Sequence, residues 1–116
     1  WNLLLDVQGG PNHVSNFCSA PIICDYQHQQ IIYQPSYYFI GHLSKYVAVG
    51  SYRVAHSSFT NKLNVSSFIT PSNEVVVVIL NSSEDDIALN LKDVLSDQIA
   101  QLVISQKSIT TLIYPQ

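Results

Sequence analysis

One change of period governs what this chain can fold into. Between Pro35 and Val49, Tyr37, Ile40, Leu43 and Val47 recur at helical intervals, with Tyr38, His42 and Tyr46 along the neighbouring line. Pro35 suits a first turn, and Gly50 stands just past the end, where a left-handed cap residue is wanted. The spacing predicts one amphipathic helix of about four turns. Upstream, Trp1–Val7 (WNLLLDV) is an apolar run of β character closed by Gly9-Gly10-Pro11-Asn12. Residues 14–20 are polar and aperiodic and read as a loop, whereas Pro21–Asp25 and Ile31–Tyr33 read as short extended pieces.

After Gly50 the whole chain reads as β-structure. Candidate strands are Ser51–His56, Leu63–Ile69, Glu74–Leu80, Asp86–Leu91, Gln98–Ser105 and Ser108–Tyr114. Turn residues stand between them at Pro71-Ser72-Asn73 and Asn81-Ser82-Ser83. Val75–Leu80 is continuously apolar, as expected of a central strand covered on both faces. Ile87, Leu89 and Leu91 alternate with their neighbours, as do Ile109, Thr111 and Ile113, which is the pattern of half-buried strands. Successive short strands without helices predict an antiparallel sandwich. A lone strand and helix cannot enclose a core. The part before Gly50 is therefore expected to pack on polypeptide outside the sequence.

Composition points the same way. Charged residues make up 11% of the 116 residues and apolar residues 47%, against roughly 25% charge in an ordinary soluble domain. So thin a charge predicts faces meant for burial, with Ser, Thr, Asn and Gln supplying much of the polar surface. The net charge is −3, and Lys45, Arg53, Lys62, Lys92 and Lys107 are scattered. No basic stripe is available to neutralise phosphates, which argues against nucleic acid as a partner. No apolar run approaches the roughly 18 residues of a membrane-spanning helix. The sequence begins without Met or a signal segment, and its start reads as a cut inside a structural element. Cys18 and Cys24 leave two readings open, a disulfide or two free thiols. His28, His42 and His56 share no ligand spacing, so neither metal nor cofactor is expected.

The residues do resemble a known family. The run WNLLLDVQGGPNHVSNF (Trp1–Phe17) is similar to the segment at the end of the eighth barrel strand in glucosylceramidases, retaining β-glucosidases of glycoside hydrolase family 30. The likeness continues through SAPIICD (Ser19–Asp25), QPSYYFIGHLSKYVAVGSYRV (Gln34–Val54) and EVVVVILNSS (Glu74–Ser83). Several motifs in family order are more specific than any one of them. The resemblance implies a mainly β fold with one helix. Residues 1–50 would be the last βα unit of a (β/α)8 TIM barrel, and residues 51–116 an antiparallel β-sandwich completed by strands from before the barrel.

It also implies a reaction, hydrolysis of the β-glucosyl bond of glucosylceramide with retention. Retention takes two carboxyl groups about 5 Å apart. In the family both are Glu on earlier barrel strands, so neither Glu74 nor Glu84 takes that role and this stretch alone is expected to be inert. The implied setting is the lysosome, at a membrane surface, with a saposin-type activator and anionic phospholipid as partners. Trp1 matches a tryptophan that stacks on the glucosyl ring, a suitable role because the C–H face of a sugar buries well on an indole. Asn16 matches a loop asparagine near the glucose hydroxyls, where an amide supplies both donor and acceptor. Phe17 follows in the same loop and is expected to line the mouth. His13 departs from the family, which carries a second tryptophan there, and Cys18 departs as well.

Without the resemblance, Trp1 reads as a core anchor and Asn16 as a turn residue. Asn64-Val65-Ser66 and Asn81-Ser82-Ser83 are N-glycosylation sequons, of which Asn81 ends a buried-looking strand. Two other functions fit the pattern. One is a non-catalytic carbohydrate-binding or interaction module made by the sandwich, although no Trp follows Gly50 and Tyr52, Phe59 and Phe68 form no stacking row. The other is a related family member acting on another β-linked sugar.

Overall fold

A computed structural model describes residues 2–11 and 14–116. Among them the order is β1 (Leu4–Asp6), β2 (Ile22–Asp25), β3 (Gln30–Tyr33), α1 (Pro35–Tyr46), β4 (Tyr52–Val54), β5 (Leu63–Ile69), β6 (Glu74–Asn81), β7 (Ile87–Lys92), β8 (Ile99–Ile104) and β9 (Ser108–Pro115). The chain forms two compact units, Trp1–Gly41 and His42–Gln116, and the division falls within α1.

In the first unit the sheet order is β1-β2-β3. β1 and β2 run parallel, with Leu4 beside Ile22 and Asp6 beside Cys24, and β3 returns antiparallel against β2. Parallel neighbours need a crossover. Here residues 7–21 carry the chain from the end of β1 back to the start of β2. The carboxyl ends of β1 and β2 therefore lie side by side. Leu5, Ala20 and Ile23 form the buried cluster of this unit, with Cys18 packed against it.

Much of the remaining apolar surface is open. No side chain of α1 is buried, and Leu3, Leu4, Ile31, Tyr37, Ile40 and Leu43 are all exposed. So broad an apolar surface has the character of a packing face. α1 stops at Tyr46, short of the Val49 that periodicity suggests. Val47 N–H still donates to Leu43 C=O, but Ser51 N–H then donates to Ala48 C=O at 3.0 Å, closing a β-turn. Gly50 has φ +90° as the third residue of that turn, a position that wants glycine. Its positive φ serves the entry into β4 and not a helix cap.

The second unit is a sandwich. One sheet has the order β4-β5-β6-β9 and the other is the β7-β8 hairpin. Leu63, Ile69, Val75, Val77, Ile79 and Ile104 form its core, with Ile87, Leu89, Leu91 and Leu102 of the hairpin packed on it. β6 pairs with β5 on one side and β9 on the other. Val76, at 0% exposure, and Val78 are buried on the strand face opposite Val77 and Ile79, which makes β6 the doubly covered strand its run of valines predicts. Burying each such side chain is worth about 1.5–3 kcal/mol. His42, the first residue of this unit, has Nδ1 hydrogen-bonded to Thr111 Oγ1 of β9 at 2.8 Å.

Asn81 closes β6 and is fully buried. Its amide nitrogen donates to the carbonyls of Asp85 (2.8 Å), Ile104 (3.1 Å) and Ser105 (3.0 Å). Its Oδ1 accepts from Ser83 N–H at 3.0 Å and Ser83 Oγ–H at 2.7 Å. One side chain thus ties the end of one sheet to the end of the β7-β8 hairpin.

Candidate functional site

The crossover after β1 is organised from its base. Asp6 Oδ1 accepts the N–H groups of Gln8 and Gly10, both at 2.8 Å. The backbone adds Gly9 N–H to Asp6 C=O (3.0 Å) and Asp6 N–H to Gly10 C=O (2.7 Å). Gly9 sits at φ +84°, and a Cβ there would stand 2.5 Å from Cys18 O and 2.8 Å from Cys18 N. Only glycine lets the two backbones approach this closely. Cys18 N–H also donates to Gly9 C=O at 3.3 Å, and its thiol donates to Asn16 C=O at 3.4 Å. The chain is therefore pinched together at Gly9 and Cys18, just beyond the carboxyl end of β1.

Asn16 and Phe17 lie between these two residues in the sequence. Both are exposed, Phe17 at 61%. Trp1 and His13 lie outside the described residues, so the structure speaks only to the Asn16 and Phe17 part of the expected pocket wall. Asp6, at the base, is a turn organiser, its Oδ1 already accepting two N–H groups.

A second turn leaves the sheet at the same end. Asp25, beside the exit of β1 in the parallel register, receives the N–H groups of Gln27 and His28 on Oδ1, each at 3.1 Å. Its Oδ2 lies 2.7 Å from His28 Nδ1. The hydrogen bond from the His28 side chain, reinforced by its backbone N–H, holds the Asp25 carboxyl below the usual carboxylate range. The sequence spacing gave no hint of this pair, because Asp25 there reads simply as the end of an extended piece.

Other candidates are separated. The two glutamates, Glu74 and Glu84, belong to the second unit. Glu74 accepts from Ser72 Oγ–H at 2.8 Å, and Glu84 pairs with Lys107 at 2.8 Å. Cys18 and Cys24 are free thiols, partly exposed. Among the described residues no three His, Cys, Asp or Glu side chains gather as a metal site, and no helix is long and apolar enough to cross a membrane. Of the two sequons, Asn64 is exposed on β5. Asn81, at the end of β6, is fully buried, and its nitrogen is taken up by three carbonyls of the fold.

A β-sheet and helix with open packing faces are followed by a two-sheet sandwich, and the chain belongs to glycosyl hydrolase family 30, as the end of its barrel and its sandwich domain. Residues 1–47 match the Glycosyl hydrolase family 30 TIM-barrel domain and residues 50–112 the Glycosyl hydrolase family 30 beta sandwich domain. Lysosomal acid glucosylceramidase of Mus musculus is 42% identical over 94 residues, covering 80% of this chain and 18% of that protein. Putative glucosylceramidase 2 of Caenorhabditis elegans is 37% identical over 115 residues, covering 96% of this chain and 22% of that protein.

Among solved structures, SrfJ from Salmonella typhimurium superposes with a TM-score of 0.93 at 35% identity. An endo-beta1,6-glucanase superposes with a TM-score of 0.87 at 27% identity. Each comparison covers 100% of this chain and 26% of the other. The chain spans 18% and 22% of the two curated relatives named, a small part of either.

Proposed function

We propose that this chain belongs to a retaining β-glucosidase that cleaves glucosylceramide, and that it supplies one wall of the glucose pocket together with the supporting sandwich. The observation that carries the reading is the pinch of Gly9 and Cys18 just beyond the carboxyl end of β1, with Asn16 and Phe17 exposed beside Cys18 in the chain. In barrel enzymes that end of the strands is where substrates bind. The likeness to lysosomal acid glucosylceramidase supports glucosylceramide as the substrate. In this reading Trp1 stacks on the sugar ring, Asn16 hydrogen-bonds its hydroxyls and Phe17 closes the mouth, while the two catalytic carboxylates lie on polypeptide outside this sequence. The barrel segment takes residues 1–50 and the sandwich residues 51–116. A lysosomal, membrane-surface setting with a saposin-type activator and anionic phospholipid follows from the same reading.

The test is hydrolysis by the full-length protein. It should release glucose from glucosylceramide and from simple β-glucosides. Asn16→Ala should lower kcat/KM about 10- to 100-fold, the loss expected when a hydrogen bond to a substrate hydroxyl is removed. A well-folded full-length protein that hydrolyses no β-glucoside would overturn the proposal. The likeness to an endo-beta1,6-glucanase favours a second reading, a β-linked glucan as substrate. Preference for a β-linked glucose disaccharide over glucosylceramide would select it.

The exposed Asn64 is the sequon we assign as glycosylated in a secretory-pathway host. Asn64→Gln should remove one glycan's worth of mass on gel electrophoresis. Ser83→Ala, which destroys the Asn81 sequon, should leave the mobility unchanged.

A further inference from the structure

The parallel register of β1 and β2 brings together two segments that lie apart in sequence. Asp6 is paired with Cys24, so the pinched loop after β1 and the turn after β2 leave the sheet at one edge. The second turn carries Tyr26, Gln27, His28 and Gln29. Tyr26 is 70% exposed, the most open aromatic side chain of the first unit among the described residues. Tyr26 stands in the turn and not on β1 or α1 with the open apolar faces, and its neighbours in sequence carry carboxylate, amide and imidazole groups.

The turn is also fixed in shape. Asp25, whose side chain is only 13% exposed, receives two backbone N–H groups on one oxygen and the His28 ring on the other. Gln29 completes the reversal with φ +53°. An ionised carboxylate can only accept, so His28 Nδ1 carries the proton in this pair. That leaves Nε2 as the outward atom of a ring that is 70% exposed. A free histidine on a surface turn would sample several rotamers, whereas this one is aimed. An aromatic face and an aimed imidazole on a rigid turn are groups suited to a hydroxyl-bearing ligand.

We propose that the Tyr26–Gln29 turn is a second substrate-contact element, with Tyr26 as a stacking face and His28 Nε2 as a hydrogen-bonding atom for the hydroxyl-bearing part of the substrate beyond the glucose ring. This rests on the β-glucosidase reading above and deepens it. The same chemistry serves a second sugar or the polar head of a ceramide, and the substrate series tells them apart. Asp25 acts through His28 as a positioning residue.

The experiment uses the full-length enzyme with Tyr26→Ala, His28→Ala and Asp25→Asn, each assayed on three substrates. β-Glucosyl fluoride has a leaving group too small to reach the turn. A β-linked glucose disaccharide and glucosylceramide both extend beyond the glucose. Expected is a rise in KM of about tenfold for Tyr26→Ala and His28→Ala on one or both extended substrates, with glucosyl fluoride unchanged. The substrate that responds identifies the occupant. Asp25→Asn should reproduce part of the His28→Ala effect on KM, with kcat preserved. Equal losses on all three substrates, or changes below about twofold on all of them, would overturn the inference while leaving the glucosidase assignment standing. A wild-type enzyme inactive on every β-glucoside would remove both.

Discussion

Replacing Asn81 by alanine should cost the second unit about 2–3 kcal/mol, because three carbonyls, that of Ile104 buried, lose their shared donor at once. The acceptors are Asp85, Ile104 and Ser105, and the Ile104 carbonyl, enclosed between β6 and the β7-β8 hairpin, has the least access to water. Asn81→Asp should be worse, since it sets a carboxylate oxygen against the same three carbonyls. Ser83→Ala is the informative control. It removes the sequon and the three hydrogen bonds of the partly exposed Ser83 hydroxyl, yet keeps the amide in place, and should cost only about 1 kcal/mol. Denaturant unfolding of the full-length protein with the three variants checks this. If Ser83→Ala were as damaging as Asn81→Ala, the clamp would not be what Asn81 provides.

The second large effect is expected at Gly9. Alanine there must relieve a Cβ contact of 2.5 Å with Cys18 O while holding a φ of +84°, and the listener at the other side is backbone, which cannot rotate away. The base of the loop must open. Strain of this kind costs about 1–3 kcal/mol. The larger consequence is positional: a shift of about 1 Å in Asn16 and Phe17 should lower kcat/KM toward β-glucosides by about 100-fold. Cys18→Ser is the companion variant. It keeps the backbone pinch and a donor for the Asn16 carbonyl, so its activity should stay near wild type. Normal turnover by Gly9→Ala would mean that the pinch does not place those side chains.

The strands of the sandwich were legible because their pattern is local. Leu63–Ile69 falls where alternation and flanking polar residues put it, and the valine run of β6 announces a strand covered on both faces. The helix end was less legible. Val47 continues the spacing and donates to Leu43, but the turn at Ala48–Ser51 takes over where the pattern alone predicts another turn of helix. The parallel pairing of β1 with β2 left no trace, since runs of three and four residues carry no register information. The roles of Asp6 and Asn81 were hidden for related reasons. Asp6 acts through the backbone geometry of a turn. Asn81 meets Ile104 and Ser105, partners far along the chain. Asn16 and Phe17 are candidates only because a family motif passes through them.

The valine-rich strand has one more consequence. Glu74–Asn81 holds six consecutive aliphatic residues with no charge or proline among them, a composition that stacks readily into cross-β assemblies when laid bare. In the folded chain both of its edges are occupied by β5 and β9. Any lesion that parts those neighbours exposes a fibril seed, so this half of the molecule is expected to fail by precipitation and not by reversible melting.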